Sequence, residues 1–490
     1  MSQIQRRTFL RGAAAGAAAS SLSVPALHAR AGGRRPSDVV RVGVVGLRGR
    51  GRDHLRNLHK LEGSTVTAIC DVDAEVLARV AADFEGRGEK VATFTDIREM
   101  LATGPVDAVS LATPNHLHAL HTIWACRAGK DVYCEKPVSH NVWEGRQAAN
   151  VARQTGRIVA TGTQARSSRA IRQAFEWLHA GNLGSVTHAF GTCYKPRQSI
   201  GQVEGPQAVP ESIAWDLWCG PRGEMPLTRK RVHYDWHWQF ATGCGDLGNQ
   251  GIHQMDICRW GLRRGTLAPR VLSAGGRFGY SDDGDTPNTQ LIYLDYAPAP
   301  LFFEVRGLPR NAAAQKEGWG KSMDQRNGAS IGASIHAEGG YVATSSSYRL
   351  AKAFDAEGKL IREWEGMDNH YANFIEAVQA RDASLLRADF EEGHLSSALC
   401  HQGNDSLRVG AAASAGVAAE AMEADPRLSE AWEGMAGHLA ANGVDIDADR
   451  LQLGRWLVSD QETEHYVGDA EAESLRRGSY AAGFEIEETA

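Results

Sequence analysis

A run of valines from Val39 to Val45, interrupted by Arg41 and Gly43, opens the first patterned stretch of the chain and predicts a buried strand. Strand and helix periodicities then alternate. Ser64–Cys70, Ala108–Ala112, Asp131–Cys134 and Arg157–Gly162 read as strands. Ala74–Phe84, Ile97–Ala102, His116–Ala128 and Trp143–Thr155 read as helices. Such alternation predicts a doubly wound parallel sheet of the Rossmann type over residues 39–163. The pattern changes after about residue 165. Ser168–Ala180 is a helix that stops at Gly181, whereas Val186–Tyr194, Gln290–Tyr296 and Phe302–Val305 alternate like antiparallel strands. Gly307–Tyr341 is rich in Gly, Ala and Ser and reads as loops; His370–Ala380 and Gly393–Arg408 read as helices. The expected fold class is α/β, with a second α+β domain over 164–425 built on an open, mostly antiparallel sheet. An acidic extension over 426–490 ends in a strand or tail at Phe484–Glu488.

Composition narrows the class. The chain has 490 residues, 42% hydrophobic and 23% charged, with a net charge of -6. That is a core large enough to need no disulfide or metal staple, without the basic excess of a nucleic-acid binder. The N-terminus stands apart. Arg6-Arg7 precedes an Ala/Gly-rich stretch, Gly12 to Ala19, and small residues near Ala29 and Ala31. These features predict a twin-arginine export signal over 1–31, then a linker over 32–38, and a periplasmic or secreted protein. The apolar run is too short and too poor in Leu and Ile to span a bilayer. None of the eight cysteines forms a CxxC pair. Most read as small buried hydrophobes, and no disulfide pair can be named.

The first chemistry follows the valine run. Gly46-Leu47-Arg48-Gly49-Arg50-Gly51 leads into a helix-like segment, Asp53 to Leu61. Glycines here let backbone approach a pyrophosphate, and a helix N-terminus offers it free N–H groups. Gly46 and Gly51 hold the first and third places of G-x-G-x-x-G. Arg48 stands where the middle glycine belongs, with Gly49 beside it and Arg50 next. Asp71, twenty positions after Gly51, ends the second strand, where an acid binds ribose hydroxyls and repels a 2′-phosphate. The cofactor is therefore expected to be NAD, with NADP the alternative because of the nearby arginines.

Thr113-Pro114-Asn115-His116 follows another strand, with His118 just beyond. After the next helix come Ala128-Gly129-Lys130 and Glu135-Lys136-Pro137. With the turn at Gly46, these motifs resemble the glucose–fructose oxidoreductase / inositol dehydrogenase / MocA family over roughly residues 39–410. The resemblance implies that Lys136 lies at the substrate and nicotinamide, that Lys136-Pro137 is a cis peptide, and that Thr113, Pro114, Asn115, His118 and Glu135 line the cofactor. The family's second motif, Asp-x-Gly-x-His with an Asp three residues on, corresponds to Asn249-Gln250-Gly251-Ile252-His253 and Asp256. It gives His253 the acid–base place. Asn249 departs from the family aspartate and cannot act as a base; Asp246 is a nearby carboxylate.

Four of the twelve tryptophans lie between Trp215 and Trp238, within reach of His233, Asp235 and His237. Aromatic faces pack on sugar C–H faces. Trp236, His237, Asn249, Asp246, Tyr194, Arg197 and Gln164 are therefore candidate sugar contacts, and a core cluster under a long loop is the other reading of the tryptophans. No metal is expected, since no compact ligand spacing occurs. The functional expectation is an exported oxidoreductase passing hydride from a sugar or glycoside hydroxyl to a tightly held nicotinamide. The alternatives are an NAD-dependent glycosidase or lyase working by transient C3 oxidation, and a non-catalytic sugar-binding module. Homo-oligomers through the open sheet are expected, as family members commonly form them.

Overall fold

The computed structural model describes residues 39–320, 322–448 and 451–489. The predicted signal over 1–31 and linker over 32–38 lie outside the described residues. The first domain is built from β1 (Val40–Val45), α1 (Arg50–Lys60), β2 (Ser64–Cys70), α2 (Ala74–Glu85), β3 (Ala92–Phe94) and α3 (Ile97–Thr103). It continues with β4 (Ala108–Leu111), α4 (Asn115–Arg127), β5 (Asp131–Cys134), α5 (Val142–Thr155) and β6 (Val159–Thr161). The six strands pair in the order β3-β2-β1-β4-β5-β6, all parallel. The order reverses between β1 and β4, so the crevice for a ligand opens at the C-terminal ends of those two strands. β4 and β5 are buried at every position because helices cover both faces.

The chain then forms α6 (Arg169–Trp177) and the long strand β7 (Val186–Tyr194). A long loop follows, carrying the short helix α7 (Trp215–Cys219), and ends at α8 (Ile252–Gly261). The second sheet adds β8 (Arg270–Gly276), β9 (Thr289–Leu294), β10 (Leu301–Arg306), and, after the short helix α9 (Ala312–Glu317), β11 (Ile331–Ala337), β12 (Gly340–Ser345), β13 (Leu350–Asp355) and β14 (Leu360–Glu365). Its main strands lie in the order β14-β13-β12-β11-β7-β10-β9-β8, with short strands of the C-terminal region added beyond β8. Only β7 and β10 pair in parallel; the other neighbours in that order are antiparallel. The Gly-, Ala- and Ser-rich stretch expected to loop thus holds all of β11 and the start of β12. Small residues are accommodated there because the strands pack under helices: Ala333 and Ile335 lie in the core beside Ile257 and Cys258 of α8.

Two helices return to tie the halves together. α10 (His370–Ala380) sets Phe374, Ile375 and Val378 against Val42, Val44 and Leu58 of the first domain. α11 (Phe390–Arg408) is buried along almost its whole length, with Phe390 in the first domain's core and Leu399 and Cys400 in the second's. Between them, the fully buried Asp256 of α8 receives a two-pronged bond from Arg166 (2.8 Å and 2.8 Å) and a third from Ser396 of α11 (2.7 Å).

The C-terminal region is not a loose extension. α12 (Ala415–Met422) and α13 (Pro426–Ala441) lay Met422, Leu428, Trp432, Met435 and Leu439 on the second sheet's other face, against Phe190, Leu291, Tyr293 and Phe302. The face expected to be open for a partner is thus covered by this chain's own helices across β7–β10. β12 and β13 keep the alternation of buried and half-exposed positions. All eight cysteines are buried free thiols.

If α13 is an integral part of this core, Trp432→Ala, which empties a site 4% exposed, lowers unfolding stability by about 3–5 kcal/mol in chemical denaturation.

Candidate active site

The reversal point of the first sheet opens into a cavity of about 670 Å³ that runs to the second domain, a usual size for a ligand site. At its floor is the turn after β1. Gly46 has φ +81°, and a Cβ there would sit 2.7 Å from the Ala112 carbonyl oxygen. At Gly51, in the first turn of α1, a Cβ would fall 1.8 Å from the Gly46 oxygen. The two glycines therefore let strand, turn and helix meet backbone to backbone. Gly49 faces open space, and Arg48 stands exposed at the rim. α1 begins without a side-chain cap; Gly51 N–H turns back onto the Arg48 carbonyl (2.8 Å), and the helix start presents its positive end to an anion.

Asp71, 8% exposed, lies at the end of β2. Its carboxylate accepts from Leu47 N–H (2.8 Å) and Asp73 N–H (3.0 Å), fixing the turn from the opposite side. Burial raises its pKa against those two bonds. Across the cleft, Thr113 and Pro114 lead into α4 at Asn115. The buried Thr113 Oγ1 and Asn115 Oδ1 have no hydrogen-bond partner, which marks polar capacity facing the cleft. Glycine turn, uncapped helix start, ribose-height acid and orphaned hydroxyl together fit a dinucleotide.

Glu135, 4% exposed, is the hub of the site. Its Oε1 accepts from Arg50 Nε (2.9 Å) and Gln164 Nε2 (3.1 Å), and it lies 3.1 Å from His54 Nε2. Burial pushes its pKa up, but Arg50, His54 and Lys136 hold it well below the usual carboxylate range. The next peptide, Lys136–Pro137, is cis. Lys136 Nζ donates to the Asn249 carbonyl (2.5 Å). Burial, reinforced by Arg50 and Lys195, pushes this ammonium down to about 8 against the pull of Glu135. His253, on α8, lines the same cavity; burial first and Lys136 second push its imidazole down to about 3, and its buried Nδ1 has no partner. A neutral imidazole and a titratable ammonium therefore face one space.

The remaining candidates divide. Gln164, Asn249, Trp236 and His237 line the cavity, with the rings of Trp236 and His237 stacked 3.7 Å apart. His118 lines it too, but both ring nitrogens are turned onto backbone carbonyls, of Pro137 (2.6 Å) and Thr113 (2.7 Å), so it ties two loops together. Tyr194, Arg197 and Asp246 do not line the cavity. Asp246, 1% exposed, is closed by a two-pronged bond from Arg197 (2.6 Å and 2.8 Å), whose guanidinium stacks on Trp238 at 4.7 Å. Tyr194 O–H donates to Glu304 (2.5 Å). These three brace the wall from behind, so Asp246 is no replacement for the carboxylate lost at Asn249. Asp256 is likewise spent on Arg166. Trp215 and Trp218 stack 4.6 Å apart in a small core under the loop, and Trp218 also reaches the cavity.

Sequence reasoning missed several residues that build the site. His54 is hidden on the buried face of α1, with Ser110 Oγ 2.7 Å from its other nitrogen. Tyr348, at φ +54° in the turn between β12 and β13, faces His253 with ring centres 5.7 Å apart. Its sequence signal was the Ser345-Ser346-Ser347 turn, just past the stretch read as loop. Phe484 and Trp124 close the far end.

Residues 40–163 match the family model described as "GFO_IDH_MocA: Oxidoreductase family, NAD-binding Rossmann fold". The first domain is an NAD-binding Rossmann domain. Among curated relatives, inositol 2-dehydrogenase 3 of Saccharopolyspora erythraea is 32% identical over 148 residues, 30% of this chain and 42% of the relative. Glycosyl hydrolase family 109 protein 2 of Shewanella sp. (strain ANA-3) is 33% identical over 176 residues, 32% of this chain and 39% of the relative. The chain thus spans less than half of each. Among solved structures, the WlbA dehydrogenase of Bordetella pertussis in complex with NADH and UDP-GlcNAcA aligns with a TM-score of 0.54 at 18% identity, covering 76% of this chain and 97% of that one. Levoglucosan dehydrogenase in complex with NADH and levoglucosan aligns at 0.54 and 17%, covering 74% and 96%. At these identities the likeness is one of fold.

Buried histidines in and beside the cavity carry a pH dependence. His116, His121, His237 and His253 are all pushed down to about 3 by burial, whereas they protonate near 6.5 in an unfolded chain. Between those values the unfolded chain binds more protons. Stability present above about pH 6.5 is therefore lost progressively as pH falls toward 3. Thermal unfolding followed from about pH 7 to about pH 4.5 should show a falling midpoint, and His253→Asn should flatten part of that slope.

Proposed function

We propose that this chain is an NAD-dependent oxidoreductase acting on a hydroxyl of a sugar or glycoside. One observation carries the reading: Lys136 and neutral His253 meet in a single cavity whose other end is the Gly46 turn and Asp71. The relatives' names support the substrate class, since they include an inositol dehydrogenase and an anhydrofructose reductase. Arg6-Arg7 ahead of the Ala/Gly-rich stretch supports export by the twin-arginine route.

In this arrangement the Lys136 ammonium lies at the reacting hydroxyl and stabilises negative charge growing on its oxygen. His253, held neutral, accepts the hydroxyl proton. Bound NAD supplies the hydride acceptor. The Asn249 amide, with Gln164 and His237, orients neighbouring hydroxyls. Trp236, Trp218 and Tyr348 present apolar ring surface and exclude water. Glu135 keeps the local charge balanced, so Lys136 stays cationic below about pH 8.

A second reading is favoured by Asn249, which is no base, and by the glycosyl hydrolase relative. It is redox-neutral cleavage of a glycosidic bond by transient oxidation at C3 and elimination.

His253→Ala should lower kcat about 10²–10⁴-fold and Lys136→Ala about 10²–10³-fold, with NAD still raising the melting temperature of the His253→Ala protein. Because the lysine acts as a cation, kcat/KM should fall as pH rises through about 8, and Lys136→Arg should remove that limb. A limb rising through the same pH would instead make Lys136 the base. A glycoside panel run in deuterated water separates the two readings. Deuterium at C2 of a released sugar, with no accumulation of NADH, identifies cleavage; accumulating NADH identifies net oxidation.

A further inference from the structure

The end of the cavity away from Lys136 is closed by two segments remote from the Rossmann fold in sequence. The long loop after β7 crosses the mouth between β2 and α2. Ala214 N–H donates to the Val72 carbonyl (2.9 Å) and Ala74 N–H to the Ser212 carbonyl (2.8 Å), so Ile213 bridges Asp73. His233 Nε2 lies 2.8 Å from the Asp73 carboxylate, adding a second clamp. His116, at the start of α4, has Nε2 2.9 Å from the Trp218 carbonyl, which ties the loop to the cavity's other bank.

The C-terminal segment then runs over the middle of that loop, just past α7. Ala481 N–H donates to the Pro221 carbonyl (2.9 Å). The segment is anchored on both sides. Tyr480 O–H donates to Glu144 of α5 (3.0 Å), Ile486 is buried in the first domain's core, and Asn150 Nδ2 donates to the Thr489 carbonyl (2.9 Å). Between these anchors Phe484 is half-buried and lines the cavity. It stands 6.0 Å from Trp124, and the Arg98 guanidinium, held by Asp96, lies over both rings at 5.3 Å and 5.5 Å. His121 stacks on Trp124 at 5.6 Å, is 93% buried, and leaves Nδ1 without a partner in the cavity wall.

This is an aromatic and cationic seat with one unsatisfied polar atom, in the same cavity as Asp71. Flat heteroaromatic rings stack on such surfaces, and a neutral imidazole offers a hydrogen bond to a ring edge. We infer that Phe484 and the Tyr480–Ile486 segment form a clasp over the adenine end of bound NAD, so that the dinucleotide exchanges slowly and turns over in place. The inference rests on the NAD-dependent reading above. The clasp must open before the dinucleotide leaves, because the loop and the C-terminal segment bond to each other across the exit.

The test is the release rate of NADH from the full chain, followed by the loss of bound-cofactor fluorescence on dilution into excess NAD. Phe484→Ala should release NADH at least about tenfold faster than the parent, and Phe484→Trp should retain it. A double variant, P221C with A481C, would tether the clasp. Its oxidised form should release NADH more slowly than the same protein after reduction, whatever Phe484→Ala does to folding. Parent-like release from folded Phe484→Ala, or equal rates from the oxidised and reduced double variant, would overturn the clasp while leaving the cofactor reading intact. A parent protein that holds no dinucleotide when purified, and whose fluorescence and melting temperature do not respond to added NADH, would overturn both.

Discussion

A single buried carboxylate organises the reactive half of this molecule. Glu135 sits at a strand end with almost no access to water, where an unpaired charge would cost several kcal/mol. It is tolerated because the Arg50 guanidinium, the His54 ring and the Gln164 amide converge on one of its oxygens. Those three partners come from the helix after the glycine turn and from the segment leaving the sixth strand. Satisfying Glu135 therefore fixes the start of α1, the exit of the first domain and the backbone that presents Lys136. Its field opposes the burial that pushes Lys136 down to about 8, and Lys136, after burial, helps keep His253 neutral.

The second domain solves a similar problem further back. Asp256 and Asp246 are equally buried, and each is met by a two-pronged arginine, Arg166 and Arg197. Neither carboxylate serves the cavity. Their bonds hold α8 and the turn before it at a set height, which brings His253 and the Asn249 carbonyl to Lys136. Division of labour among acids is thus spatial: Asp71 and Glu135 face the cleft, and Asp246 and Asp256 stiffen its frame.

Much of this was legible in the sequence, for reasons that differ by element. Strands β2, β5 and β7 and helix α10 match their expected bounds because hydrophobic period and local breakers fix them. The glycine turn, Asp71 and Glu135-Lys136 were readable because they are local motifs on a repeated unit. Asp246, Arg197 and Tyr194 were misjudged, since spacing along the chain does not reveal whether two charges close on each other. β11 was missed because small residues carry little periodic signal, and burial there comes from α8. Phe484 was beyond reach, since nothing near it announces a contact with Trp124 on another domain. The C-terminal helices hid the open sheet for the same reason: their apolar faces are plain, but their target is not.

The contact between Ile486 and the first domain's core also has a meaning in time. A nascent chain emerges from the ribosome in order, and N-terminal domains generally fold first. The parallel sheet can assemble once β6 has emerged, yet the wall that Phe484 supplies comes more than three hundred residues later. Until then the cleft stands open on that side. Synthesis thus leaves an interval in which a dinucleotide can enter a formed but unfastened site, and translation of the final segment sets when that interval ends.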